Sequence, residues 1–294
     1  MRRLILGTDW WTDCDDAVAL RLLARYVKAG RVALGGIAIN ACMPDSVASL
    51  RGFLRAEGLP ADLPLGLDRA ATDYGGHPSY QRRLAARFGA DISNAEAEDA
   101  LRLYRRLLAE AQGPVEIVEI GYPQVLAALL ESAGDDLSPL GGEALMREKV
   151  AKCWVMAGKW DEDGGRENNF CRSPRASRAA AVFCERCPVP VTFLGWEVGS
   201  TVISGGHLPQ GDHLRDVLAD HGSPAGRFSW DPMLMLLCLV GDEEAAGYRV
   251  VRGRATVEAE SGANHFTPSP NGRHAYMVKT KSDEEYAAAI DALL

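Results

Sequence analysis

Short β-branched runs alternate with longer segments whose apolar residues recur at helical spacing, starting at the first residues of the chain. Residues 4–8 are predicted as a strand, followed by a helix over 15–28 with Ala17, Leu20, Leu23, Ala24 and Val27 on one face. A second strand is predicted over 32–39, then helices over 44–56 and about 95–111, separated by a loop rich in Gly, Pro and Asp. Further strands are expected at 115–120, 150–156 and 191–194, with helices at 123–132, 174–184, 213–220 and 232–240. The tail reads as a β-like region over 248–260, a short run at 275–279 and a closing helix from Asp283. This alternation predicts an α/β fold: a single domain over residues 1–294 with a mainly parallel open sheet flanked by helices.

Ligands of open parallel sheets bind beyond the carboxyl ends of the strands, so the residues there carry the most information. They are polar. The first strand ends at Asp9, the second at Asn40, the third at Gly121-Tyr122-Pro123-Gln124, the fourth near Met156 and Trp160, and the fifth at Trp196-Glu197. One crevice can collect all of them.

Composition narrows the ligand. Among 294 residues, 32 Lys and Arg against 40 Asp and Glu give a net charge of −8, which disfavours nucleic acid as a partner and favours a small uncharged or cationic ligand. Seven cysteines, an odd number scattered through apolar segments, read as reduced structural thiols, the Cys184/Cys187 pair included. The longest apolar stretch, 232–240, is too short to cross a bilayer, and the opening segment has too short an apolar core for a signal peptide. The expectation is a cytoplasmic protein with no membrane partner. The six histidines show no metal-like grouping and are expected to be solvated, His77, His207, His213 and His221 among them.

Asp9, Asp13, Asp15 and Asp16 crowd into the strand-to-helix turn GTDWWTDCDDAVAL. Helix capping by Thr12 or Asp13, with the later aspartates facing the helix dipole, accounts for some of them. Capping does not account for Asp9, nor for carboxylates that repel one another by roughly 3–4 kcal/mol per close pair at intermediate dielectric. A bound cation removes that penalty, and all-oxygen donors favour Ca2+ or Mg2+ over zinc, with flexible loop donors favouring Ca2+. An EF-hand is excluded: counted from Asp9, the sixth position is Cys14 and the twelfth Leu20.

This turn resembles the N-terminal signature of the inosine-uridine-preferring nucleoside hydrolase family, in the longer variant with an additional aspartate, here Asp13. Further resemblances follow in order over roughly residues 4–240: Asn40, Val155-Met156-Ala157-Gly158, Glu167-Asn168-Asn169-Phe170, and Ser229-Trp230-Asp231-Pro232 ahead of an apolar helix. The resemblance implies a nucleoside-hydrolase-like fold and hydrolysis of the N-glycosidic bond of a ribonucleoside or related N-ribosyl compound, in a homodimer or homotetramer. It implies Ca2+ held by Asp9, Asp16, Asp231 and the Gln124 carbonyl, and a ribose pocket lined by Asp15, Asn40, Met156, Glu167 and Asn169. Asp9 is then the base for a water that attacks the anomeric carbon while positive charge grows on the sugar. On the residues alone, Asp231 reads better as a helix N-cap before Pro232, Asn40 and Asn169 read equally as turn residues, and Met156 reads as core.

The departures are also informative. Trp10-Trp11 stand where the family has Pro-Gly, GYPQVL replaces the usual third-strand loop, and Trp230 stands where many members carry a leaving-group histidine. Five of six tryptophans (Trp10, Trp11, Trp160, Trp196, Trp230) fall at or beyond predicted strand ends or beside Asp231, which predicts an aromatic pocket for a planar or cationic leaving group, with Trp230 in contact with substrate. Two rival functions remain at this level. One is a metal-dependent phosphohydrolase, disfavoured because Trp11 stands where its second aspartate would be; the other is a relative that binds a ribosyl ligand without turnover or serves a biosynthetic pathway.

Overall fold

Alternate residues of the central strands enter two different cores, as the two-residue period of a strand requires. Leu4, Leu6, Val118, Ile120, Trp154 and Met156 face one cluster, while Ile5, Val115, Ile117, Cys153 and Val155 face another. Both faces are therefore covered. In the computed structural model, which describes residues 1–11, 13–72, 74, 80–88 and 92–294, helices Asp15–Lys28, Ser46–Ala56, His213–His221 and Trp230–Val240 supply the first cluster. Helices Ala100–Ala109, Gln124–Glu131, Gly142–Lys149 and Pro174–Arg186 supply the second.

The strands are β1 (Arg2–Thr8), β2 (Val32–Ile39), β3 (Leu65–Leu67), β4 (Glu98–Asp99), β5 (Val115–Glu119), β6 (Val150–Met156), β7 (Val191–Leu194), β8 (Ile203–Ser204), β9 (Arg227–Phe228), β10 (Tyr248–Val257), β11 (Asn264–Pro268) and β12 (His274–Lys279). Ten of them form one sheet in the order β11-β10-β12-β7-β6-β5-β1-β2-β3-β4, and β8 pairs with β9 separately. From β4 across to β12 every pairing is parallel, and only β10 runs against its neighbours. The chain winds outward from β1 through β2, β3 and β4, then returns to place β5 on the other side of β1. That reversal opens a crevice at the carboxyl end of β1, the place where such sheets bind ligands.

The α/β sheet and its main elements match the sequence expectation, with three differences. The helix expected over about 95–111 is Ala100–Ala109, because Glu98–Asp99 pairs with β3 and the Asp99 side chain then caps the helix by accepting from the Arg102 N–H. Strands β3, β8, β9 and β11 and helices Gln81–Phe88, Gly142–Lys149, Asn168–Cys171 and Trp196–Gly199 were not expected; each is short or mixed in polarity, so no period stands out. His213, expected to be solvated, instead lies 2.7 Å from Glu57 beside the buried Arg21. No helix among the described residues is long and apolar enough to cross a membrane, and all seven cysteines are free thiols.

Candidate active site

Asp9 follows directly on β1, which is flanked by β2 and β5, so its backbone is fixed from both sides. The chain then turns sharply at Trp10, whose φ of 51° is left-handed, a conformation that costs a non-glycine residue roughly 1–3 kcal/mol. Surrounding contacts hold it there. The Trp10 indole N–H donates to Ser49 Oγ at 2.9 Å, and its carbonyl accepts from Gln81 Nε2 at 2.6 Å. The ring packs against Phe53 and Tyr80, each with its centroid 5.3 Å away.

Beyond the turn, helix Asp15–Lys28 begins, with Asp15 and Asp16 in its first turn and both fully buried. Capping does not explain these aspartates: Cys14 is the N-cap and makes no side-chain cap bond, and Thr12 lies outside the described residues. Asp13 instead forms a two-pronged ion pair with Arg227, whose Nε–H donates to it at 2.8 Å. Asp16 Oδ1 accepts from the Trp10 N–H at 3.2 Å and from the Thr8 hydroxyl, and Asp9 Oδ1 accepts from the Trp11 N–H at 3.2 Å.

Asp231 arrives from the other end of the chain. Helix Trp230–Val240 is apolar almost throughout because it is buried, and it packs alongside helix Asp15–Lys28. Asp231 sits in its first turn rather than at the N-cap, which is Ser229, and the Asp231 N–H donates to Asp15 Oδ2 at 3.0 Å. Carboxylate oxygens of Asp15, Asp16 and Asp231 consequently lie within 4.8 Å of one another. Burial, followed by repulsion from neighbouring carboxylates, pushes all three well above the ordinary aspartate range. Hard oxygen donors that raise one another's proton affinity are a set suited to a Ca2+- or Mg2+-like ion.

A cavity of about 260 Å³ opens onto this cluster. It brings together Asp9, Asp15, Asp16 and Asp231 with Met156, Glu167, Asn169 and Trp230. Glu167 caps helix Asn168–Cys171 by accepting from the Asn169 N–H at 2.8 Å, and its other oxygen accepts from the Gly158 N–H at 3.0 Å. Burial pushes its carboxyl up to about 7. The Asn169 amide donates to the Met156 carbonyl at 2.9 Å, which fixes its orientation.

Asn40 and Gln124 are not brought to the cavity lining. Asn40 is a strut between loops: its Nδ2 donates to Glu119 Oε1 at 2.8 Å, its Oδ1 accepts from the Tyr122 N–H at 3.0 Å, and its carbonyl accepts from Gln124 Nε2. Gln124 lies behind it as the first residue of helix Gln124–Glu131. Gly121 makes this approach of loops attainable, since a Cβ there would fall 2.4 Å from both Asn40 Oδ1 and the Asp9 amide nitrogen.

The five-tryptophan pocket is smaller than expected. Trp10 and Trp160 are core residues, and Trp11 packs against a separate cluster around Tyr74 and Tyr122; only Trp196 and Trp230 line the cavity. Sequence reasoning missed Glu119, buried beneath Asn40 and pushed up to about 8 by burial; its signal was an acidic residue inside an apolar strand run. It also missed Arg172 on the lining and Arg227, neither of which carries any local signal. Asp13, Cys14 and His221 form a second close group, but Arg227 already neutralises Asp13, and burial pushes the Cys14 thiol far up.

No family model matches the sequence, and no curated protein matches it. Solved structures match along its whole length. An inosine-uridine preferring nucleoside hydrolase from Bacillus anthracis shares 14% identity at a TM-score of 0.69, covering 100% of this chain and 99% of the other. A purine-preferring ribonucleoside hydrolase from Gardnerella vaginalis shares 15% at 0.72, covering 99% of each chain. The type III effector protein XopQ, solved with adenosine diphosphate ribose, shares 18% at 0.70, covering 99% of this chain and 92% of the other. What is common at these identities is the architecture, and it agrees with the ordered motif resemblance: this chain has the fold of the nucleoside hydrolases, in a divergent form.

Proposed function

We propose that the chain is a divalent-cation-dependent hydrolase of the N-glycosidic bond in a ribonucleoside or related N-ribosyl compound, with Ca2+ as the ion. The observation that carries this reading is the convergence of Asp15 and Asp16 with Asp231, from opposite ends of the chain, at the mouth of the sheet. The residues proposed to hold the ion are Asp9, Asp16 and Asp231, with Asp15 in contact with both the ion and the ribose. The Gln124 carbonyl implied by the resemblance lies outside the lining, and this ligand set does not use it. Calcium suits donors drawn from separate loops and helix ends better than magnesium, which demands near-octahedral geometry. When bound, the ion supplies positive charge to the cluster and lowers the pKa of water at the site.

The chain's own residues do the remainder. Asp9, partly ordered by the Trp11 N–H, accepts the proton of the attacking water. Asn169 and Glu167, fixed by backbone hydrogen bonds, orient the ribose hydroxyls, and Met156 packs beneath the sugar. The surrounding carboxylates stabilise the positive charge that develops at the anomeric carbon.

The test is release of free ribose from a panel of ribonucleosides, with Ca2+ and with chelator. Release that stops with chelator and returns with Ca2+ is expected. Tight binding of ribosyl ligands without turnover, or phosphate release from a phosphoester, contradicts the proposal.

A further inference from the structure

Trp196 and Trp230 give the cavity lining a second kind of chemistry beside its carboxylates. Trp196 is 41% exposed despite its size, and Trp230 is partly buried beside it. Their ring centroids lie 6.5 Å apart with planes inclined by 28°, and the Trp230 indole N–H donates to the Trp196 carbonyl at 2.8 Å. The elements carrying them are in backbone contact, since a Cβ on Gly199 would fall 2.5 Å from the Trp230 Cα. The aromatic wall is thus preformed, and a large exposed indole at a cavity is characteristic of a binding surface.

The charge around this wall is one-sided. Asp9, Asp13, Asp15, Asp16, Glu167 and Asp231 line the cavity, against Arg172 as the single lining cation among the described residues. Arg227 lies 5.4 Å from the Trp230 ring but is neutralised by Asp13. Lys159 lies 6.0 Å from the Trp196 ring but pairs with Asp161 and Glu162. With Asp13 paired to Arg227, Arg172 and a divalent ion together offset three of the remaining five carboxylate charges and leave the cavity negative. Indole faces in a negative field attract an aromatic cation more strongly than a neutral ring.

Building on the hydrolase reading above, we propose that the preferred substrates are N-ribosyl pyridinium compounds, in which the anomeric carbon is bonded to a quaternary aromatic nitrogen. Their hydrolysis balances without an acid for the leaving group. The bond from the anomeric carbon to nitrogen breaks and its electron pair returns to the ring, which departs as a neutral pyridine. Water supplies the new oxygen on the anomeric carbon, and its proton passes to Asp9 and then to solvent. The described residues on the aromatic wall fit this demand: the Trp230 N–H is committed to a carbonyl, and Asp13 is an ion-paired acceptor.

Nicotinamide riboside, its uncharged reduced dihydropyridine form, inosine and uridine are compared as substrates of the Ca2+-loaded protein. The pyridinium compound is expected to show a kcat/KM at least about tenfold above each neutral one. Calorimetry with 1-methylnicotinamide, methylated on the ring nitrogen and hence a cation, is expected to show about tenfold tighter binding than with neutral nicotinamide. Trp196→Leu, at an exposed position, should abolish the calorimetric preference and lower kcat/KM for the pyridinium compound about tenfold, while the leaving-group advantage of the pyridinium ring persists. Equal or faster turnover of inosine or uridine overturns the pyridinium inference while leaving the hydrolase reading intact. Ribose release from none of the four overturns both, and a calorimetric preference for the cation that survives Trp196→Leu overturns the role of the aromatic wall.

Discussion

Glu119→Gln isolates the least expected feature of the site. Glu119 is completely buried at the end of β5, with Oε1 accepting from Asn40 Nδ2 and the Gly121 N–H, and burial pushes its carboxyl from an ordinary 4.5 up to about 8. The folded state therefore holds this proton more tightly than the unfolded chain does. Stability from this group is fully present below about pH 4.5 and is lost as pH rises towards about 8, with a total of about 5 kcal/mol. Glutamine keeps the oxygen that accepts from Asn40 and Gly121 but cannot ionise. Urea unfolding in chelator at about pH 5 and about pH 9 reads the difference. The variant should be close to the parent at the acidic point and several kcal/mol more stable at the alkaline one. A difference between the two proteins that does not change with pH refutes the reasoning.

Three further outcomes follow from the same geometry. Asp231→Asn removes one member of a group whose close pairs repel by about 3 kcal/mol at intermediate dielectric, so the Tm of the chelated protein at neutral pH should rise; an unchanged or lower Tm contradicts this. Gly121→Ala places a methyl group 2.4 Å from the Asp9 amide nitrogen and should cost about 1–3 kcal/mol in urea unfolding, with a parental midpoint as the contrary result. Arg21→Met strips the buried Glu57 of one of its two charged side-chain partners and should cost about 3–5 kcal/mol, whereas a loss below about 1 kcal/mol would mean that His213 alone compensates Glu57.

The period of the apolar residues made most of the fold legible. Strands β2, β6 and β7 are mostly apolar runs, β1 and β5 keep an apolar centre between charged residues, and helix Asp15–Lys28 shows its face plainly. β3 and β4, of three and two residues, are too short for any period to register. The aspartate cluster was legible because four like charges in one turn need an explanation. Its partnership with Asp231 entered only through the ordered motif resemblance, since nothing near residue 231 points to residue 15. Asn40 shows the opposite limit: a polar residue at a strand end reads the same whether it faces a ligand or, as here, ties Glu119 to the Tyr122 loop. His77, expected in a surface loop, lies outside the described residues. The tryptophans divide for a similar reason, because position at a strand end does not say which way an indole turns; Trp10 turns inward to Ser49 and Phe53, and Trp196 stays at the cavity.

A calorimetric Ca2+ titration of chelator-stripped protein addresses the central claim directly. Saturable binding of one ion per chain is predicted for the parent, with affinity at least about a hundredfold weaker in Asp16→Asn. No saturable heat, or equal binding by parent and variant, would mean that these carboxylates converge for some purpose other than holding a cation.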